Sequence, residues 1–168
     1  MLDEMLDFFK CLQFKKPNAK FFFITRDDPQ LILYKVKNKK IDSRLIKIYP
    51  SSREMMPSYI ALSDISIFFI LPVYSKKASS PTKMGEIMSL GIPIICNIGV
   101  GDVDIIMKKC MPELLIKEFS DKEYKRVLNL VFDNYIINKS KIINTSKAYF
   151  SLSQGVNKYL NIYSKVLN

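Results

Sequence analysis

Residues 79–101 carry the pattern that most constrains the fold: a polar loop, an amphipathic helix, a sharp stop, a buried strand and a glycine loop. Pro81 suits the first helical turn, because its fixed φ is helical and its missing N–H would be unpaired there. Gly91 is expected to end the helix, since glycine tolerates the left-handed conformation that follows a helix. The apolar run 92–96 is expected to form a short buried strand. Its proline, Pro93, stands near the start of the strand, where proline is tolerated. A helix followed by a buried strand predicts an α/β protein.

The rest of the chain alternates in the same way. We expect helices at about 2–14, 29–38, 54–62 and 103–109, a capping box at 120–123 that opens a further helix, and strands at 19–24, 44–49, 65–71 and 114–116. This order predicts a Rossmann-like three-layer α/β sandwich with a mainly parallel sheet. A length of 168 residues fits a single domain, 1–168. Ligands of such sheets bind beyond the carboxyl ends of the strands, so the loops there are expected to converge on one crevice.

The start of the helix in residues 79–101 has the chemistry of an anion site. Ser79 or Ser80 can cap its free amides, and the positive end of the helix dipole favours a negative ligand. Lys83 stands in the first turn and Glu86 one turn further on. A phosphate group and a ribose would suit such a pair.

Three parts of this stretch resemble the nucleotide-sugar signature of GT-B glycosyltransferases of the "group 1" kind: Ser80-Pro81-Thr82-Lys83, Glu86 and Gly91-Ile92-Pro93-Ile94-Ile95. Residues 53–67 are similar to the segment that leads into the preceding strand of that family, and residues 149–163 to its closing helices. The resemblance implies one half of a GT-B fold, the C-terminal, donor-binding domain. It also implies that helices of about 140–168 pack back on this domain or toward a missing N-terminal domain.

The resemblance further implies a set of ligand contacts. Glu86 would bind the ribose hydroxyls, and Lys83 the diphosphate. The other candidate contacts are Thr82, Pro81, Ser80, Arg26 and Gly99. The family has a glutamate eight residues before Glu86, where this chain has Ala78, and we assign no catalytic residue.

Four of these candidates also have a purely structural interpretation. Glu86 and Lys83 can be solvated helix residues, and the loop of Gly99 a simple connector. Arg26 can be a surface arginine paired with Asp27 or Asp28.

The resemblance implies a glycosyltransferase, incomplete as this isolated domain, that transfers a hexosyl group to a bacterial surface polysaccharide or glycolipid with retention of configuration. Its expected partners are a nucleotide-sugar donor, an N-terminal acceptor-binding domain and, as a further candidate, an anionic membrane surface, but no nucleic acid. Two other classes stay open: a non-catalytic nucleotide-binding or interaction module of the same fold, and a basic binder of nucleic acid or membranes.

The amino-acid composition excludes several catalytic mechanisms. The chain has no histidine, which excludes Ser-His-Asp and Cys-His mechanisms. Its three cysteines are widely spaced and odd in number, so we expect a reduced cytoplasmic protein. A peripheral place at the inner membrane face is a further candidate. With no Cys-x-x-Cys motif and no histidine, we expect neither a metal nor a cofactor. The net charge of +10 suits anionic partners, but with no arginine-rich run or basic patch interleaved with aromatics we favour a compositional bias, with lysines spread over a solvated surface. No apolar run approaches the length of a membrane span.

Overall fold

The computed structural model describes residues 1–167, without the side chain of Asn134. Its helices are α1 (Leu2–Lys15), α2 (Pro29–Asn38), α3 (Met56–Ala61), α4 (Thr82–Ser89), α5 (Val103–Cys110), α6 (Asp121–Asn129), α7 (Lys139–Phe150) and α8 (Leu152–Leu167). Its strands are β1 (Phe21–Ile24), β2 (Ile46–Tyr49), β3 (Ser66–Phe68), β4 (Ile94–Asn97) and β5 (Leu115–Ile116). The chain is therefore an α/β protein, as predicted.

All strand pairs are parallel, but they form two sheets rather than one. β1 pairs with β2, with Phe21 opposite Ile46. β4 lies between β3 and β5 in a separate three-stranded sheet. The strands alternate with helices along the chain, so the architecture is consistent with the expected Rossmann-like sandwich.

Helix α1 joins the two sheets by contributing to both hydrophobic cores. Phe8 belongs to the larger core, where its ring meets the rings of Phe69 and Tyr124 edge to face. Phe9, the next residue, belongs to the smaller core and packs on Phe21 of β1. Consecutive helix residues point in different directions, so one helix can cover both sheets.

The centre of the larger core is β4, which is buried along its whole length. Cys96 on this strand is fully buried and packs as a small core residue. On the other side of the β1–β2 sheet, the Tyr59 ring of α3 packs against Phe22 and Tyr49.

The last two helices differ in how they meet this body. Helix α7 packs against α4 and α5 and buries Ile142 and Ser146. Helix α8 contacts α7 and buries none of its residues. Of the predicted closing segment 140–168, Asn168 lies outside the described residues.

Candidate anion-binding site at the start of helix α4

Helix α4 begins with exposed, uncapped backbone. Pro81 occupies the N-cap position with extended backbone, and within residues 1–167 no side chain caps the helix. The first internal bond runs from the Met84 amide to the Pro81 carbonyl, at 3.0 Å. The amides of Thr82 and Lys83 therefore stand at the free end of the helix, where they have no partner within it.

The predicted serine cap of α4 is wrong, because the Ser80 hydroxyl is used elsewhere. Ser80 Oγ donates a hydrogen bond to Asp102 Oδ2 at 3.0 Å. This bond links the loop before α4 to the loop before α5. Asp102 holds the predicted N-cap position of α5, but its side chain makes no capping hydrogen bond.

Two glycines allow these loops to touch. Gly101 has a φ of +49°, and a Cβ atom there would lie only 1.6 Å from the Ser79 carbonyl oxygen. Gly99 has a φ of +83°, and its Cβ would lie 3.2 Å from Pro72 Cβ. Any residue with a side chain would be strained at both positions. The loops after β3 and β4 are thus held together as one surface.

Carboxylates line this surface beside the helix end. The Gly99 amide, a predicted ligand donor, already donates to Asp104 Oδ1 at 3.2 Å. Asp102 Oδ1 is buried without a hydrogen-bond partner in the described structure. A buried acceptor without a donor is costly, and two acidic groups at this place oppose a negatively charged ligand.

Lys83 and Glu86 both lie on the exposed side of α4, as does Thr82, while Met84, Gly85, Ile87 and Met88 form its buried side. Lys83 and Glu86 are three positions apart, so they are neighbours on the helix surface. Neither makes a side-chain hydrogen bond or ion pair to another described residue. Both are therefore available to a ligand arriving at the start of α4.

Arg26 lies in the loop after β1, where its Nη2 stands 3.5 Å from the Ser51 carbonyl oxygen. It does not pair with the acids that follow it. Asp27 accepts from the Thr25 hydroxyl at 2.8 Å, and Asp28 caps α2 through the Gln30 amide at 2.9 Å. The loops after β1 and β2 therefore meet each other, as do the loops after β3 and β4.

Asn97, at the end of β4, shapes the site but was not among the predicted residues. Its side-chain oxygen accepts from the Ile70 amide, and its Nδ2 donates to the Ile70 carbonyl, both at 2.9 Å. The side chain thus replaces a strand partner beyond the end of β3 and fixes where the following loop departs. A polar residue that closes a run of buried apolar ones is the sequence signal for such a role.

Two surface grooves have no residue of α4 in their linings. One of about 660 Å³ is lined by polar and basic residues, including Lys109, Lys141 and Tyr149. A smaller one of about 230 Å³ lies beside Cys110 and Tyr135. Thr82 and Lys83, at the start of α4, are exposed.

The cysteines are poor nucleophiles in this fold. Burial raises the pKa of the Cys11 thiol to about 11, with a further contribution from Asp121 nearby. Burial also raises the pKa of the Cys96 and Cys110 thiols. Among residues 1–167, no three His, Cys, Asp or Glu side chains are grouped so as to hold a metal ion, and no helix has both the length and the apolar character needed to cross a bilayer.

The chain matches no protein-family model, no curated protein and no solved structure. The residues themselves therefore carry the functional argument.

Proposed function

We propose that this chain is the donor-binding half of a GT-B glycosyltransferase of the group 1 kind. It would hold the nucleotide diphosphate of a sugar donor for transfer, with retention, to a surface polysaccharide or glycolipid acceptor on the cytoplasmic side of a membrane. An N-terminal domain would supply the acceptor site. The observation that carries the proposal is the pair of unpaired, exposed side chains, Lys83 and Glu86, on the free end of α4.

The chemistry of this pair suits a nucleoside diphosphate. The free amides of Thr82 and Lys83, together with the helix dipole, attract the phosphate oxygens. The Lys83 ammonium adds a full positive charge in the same turn, and Glu86 offers two acceptor oxygens to vicinal ribose hydroxyls. Holding the diphosphate also stabilises the charge that develops on it as the sugar leaves.

The first test is binding of UDP, GDP, ADP and CMP, and of their sugars, by calorimetry and thermal shift. Lys83→Ala removes a charge-assisted contact, so we expect affinity to fall about tenfold or more. Lys122→Ala is the matched control, because Lys122 is also exposed and occupies the second position of its helix, α6. We expect that variant to bind like the wild type, and Glu86→Ala to lose affinity as Lys83→Ala does.

An equal loss in Lys83→Ala and Lys122→Ala would mean that only the overall positive charge attracts the nucleotide. Failure of every nucleotide to bind at millimolar concentration would contradict the proposal altogether.

The acidic groups at the site favour a second candidate, a non-catalytic module of the same fold. The Asp104 carboxylate accepts the hydrogen bond of the Gly99 amide, and Asp102 lies beside the start of α4. Their negative charge opposes the further charge that develops on the diphosphate as a sugar leaves, so it disfavours transfer more than it disfavours binding. Nucleotide binding without release of sugar from any donor, measured with the N-terminal acceptor domain present, would support this candidate over the transferase.

A further inference from the structure

We propose that α8 docks the protein onto an anionic lipid surface, lying along the membrane plane with its apolar side among the acyl chains. This surface is remote in sequence from the start of α4, and its action needs no nucleotide. Three features of the helix carry the proposal: the complete separation of its polar and apolar sides, the exposure of the apolar side, and its charge.

The sequence of α8 divides without exception into two sides. At about 100° per residue, its large apolar residues fall within an arc of about 160°. They are Leu152, Val156, Tyr159, Leu160, Ile162, Tyr163, Val166 and Leu167. The remaining arc holds Ser153, Gln154, Asn157, Lys158, Asn161, Ser164 and Lys165. A helix with this division lies at a polar–apolar boundary.

The apolar side of α8 is open to solvent. The exposed fraction is 47% for Val156, the least exposed of the eight, and 84% for Leu167, the most. Apolar surface of this extent on a single helix marks an interaction site. Tyr159 and Tyr163, 65% and 59% exposed, combine an apolar ring with a polar hydroxyl, a combination that suits the headgroup region of a bilayer.

The charge of the C-terminal region decides between possible occupants. Residues 135–167 contain five lysines and no acidic residue, so they carry half of the net charge of +10. Two copies meeting through α8 would bring together two C-terminal regions of charge +5, neither of which has a carboxylate to neutralise the other, and this repulsion disfavours self-association. Anionic phospholipid supplies the opposite charge, and basic residues near such a surface are attracted to it.

The basic surface continues from α8 onto the body of the protein. A groove of about 660 Å³ along α7 is lined by Lys109 and Lys141 and extends to Tyr149, three residues before α8 begins. Lys109 and Lys141 therefore add to the positive charge that Lys158 and Lys165 give to α8.

The test is co-sedimentation of the full chain with vesicles of phosphatidylcholine alone and of phosphatidylcholine mixed with phosphatidylglycerol. Val156→Asp with Tyr163→Asp places two charges in the middle of the apolar side. Asn157→Asp with Asn161→Asp places the same two charges in the middle of the polar side. All four positions are exposed, so both double variants keep the folded body, and both lower the net charge from +10 to +8.

We expect the wild type to bind the mixed vesicles, and much less the neutral ones. The apolar-side variant should lose about tenfold or more in partitioning. The polar-side variant should lose only the part of its vesicle binding that comes from electrostatic attraction, which is smaller and is screened by salt. The chain has no tryptophan, so Tyr163→Trp adds a single reporter whose emission should shift to the blue on anionic vesicles. Asn161→Trp should show no such shift.

Equal losses in the two double variants would overturn the proposal, since attraction would then depend on charge without insertion of α8. No binding by the wild type would overturn it as well. If light scattering instead shows a wild-type dimer that the apolar-side variant converts to monomer, without vesicle binding, a second copy is the occupant and the lipid proposal fails.

Discussion

Helices α7 and α8 follow one another with only Ser151 between them, yet they relate to the fold in opposite ways. Helix α7 buries Ile142 and Ser146, whereas α8 buries nothing. The difference does not lie in apolar content, since α8 carries the broader apolar side. It lies in whether the chain provides a complementary surface.

For α7 the complementary surface is the part of α4 around Gly85. Without a side chain, Gly85 lets the Phe150 ring approach its backbone, and the buried Ser146 hydroxyl donates to the Gly85 carbonyl at 3.0 Å. Nothing lies within 4 Å of the Cβ position of Gly155, the glycine of α8. Amphipathicity thus predicts that a helix has a partner, but not that the partner belongs to the same chain.

The largest contrast is expected from shortening one apolar side chain in each helix. Ile142→Ala removes a side chain that is 1% exposed in the larger core, which should lower the free energy of unfolding by about 2–5 kcal/mol. Leu160→Ala alters a side chain that is 56% exposed and should change it by about 0.5 kcal/mol or less. Urea denaturation followed by circular dichroism measures both. A comparable loss in Leu160→Ala would show that α8 packs on the body after all.

A smaller contrast is expected from the two helix glycines. In Gly85→Ala the new Cβ would lie 2.6 Å from Phe150 Cγ and 2.8 Å from its Cβ. Because Phe150 Cβ is close to the backbone, α7 must shift, and we expect a net loss of about 1–2 kcal/mol despite the better helix propensity of alanine.

In Gly155→Ala the new Cβ would have no atom within 4 Å, so the substitution should stabilise the helical conformation of α8 by about 0.5–1 kcal/mol. The unfolding midpoint of the body should not move. The same denaturation series tests both variants, and a stabilised Gly85→Ala would mean that the α4–α7 contact is looser than these distances indicate.

Local patterns in the sequence predicted the positions of most helices and strands well. They predicted poorly where strands end and which strands pair with each other. Helix α2 spans the predicted residues 29–38, and the Ser120 hydroxyl accepts from the Glu123 amide at 3.3 Å, which is one half of the predicted capping box. The other half does not form, because the Glu123 carboxylate accepts from the Lys117 amide and the Ser120 amide donates to the Glu118 carbonyl. Strand β3, in contrast, ends at Phe68 rather than near 71, because Asn97 takes over the hydrogen bonds of Ile70. The division into two sheets is likewise set by contacts between distant segments, which hydrophobic periodicity does not encode.

The candidate site was found through motif resemblance, and its details were less predictable. The exposure of Lys83 and Glu86 follows from the helical spacing of the apolar residues around them. That Ser80 would bond to Asp102, and that Asp104 would take the Gly99 amide, depends on how two loops pack. No spacing rule within either loop contains that information.

The smallest contrast is expected from pH, because the folded body carries a buried carboxylate and residues 135–167 carry none. Glu123 accepts hydrogen bonds from Arg126 at 2.8 and 2.9 Å and from the Lys117 amide at 3.0 Å. The Arg126 hydrogen bonds, chiefly, hold the pKa of the Glu123 carboxyl below its ordinary value of 4.5. This stabilisation is therefore complete above about pH 4.5 and is lost as the pH falls through the native value.

Glu123→Gln removes the titrating group, so the wild type should be more stable than this variant at pH 7, by about 1 kcal/mol for a pair that is partly exposed. That advantage should shrink on acidification toward pH 3. A chain ending after Ser151 should show the same shrinkage, since the deleted α8 has no carboxylate to titrate. Calorimetric melting temperatures across the pH range measure the difference. A constant advantage would show that it does not come from the ionised Glu123 carboxylate, whereas a change on deletion of α8 would show that this helix is coupled to the acid stability of the body.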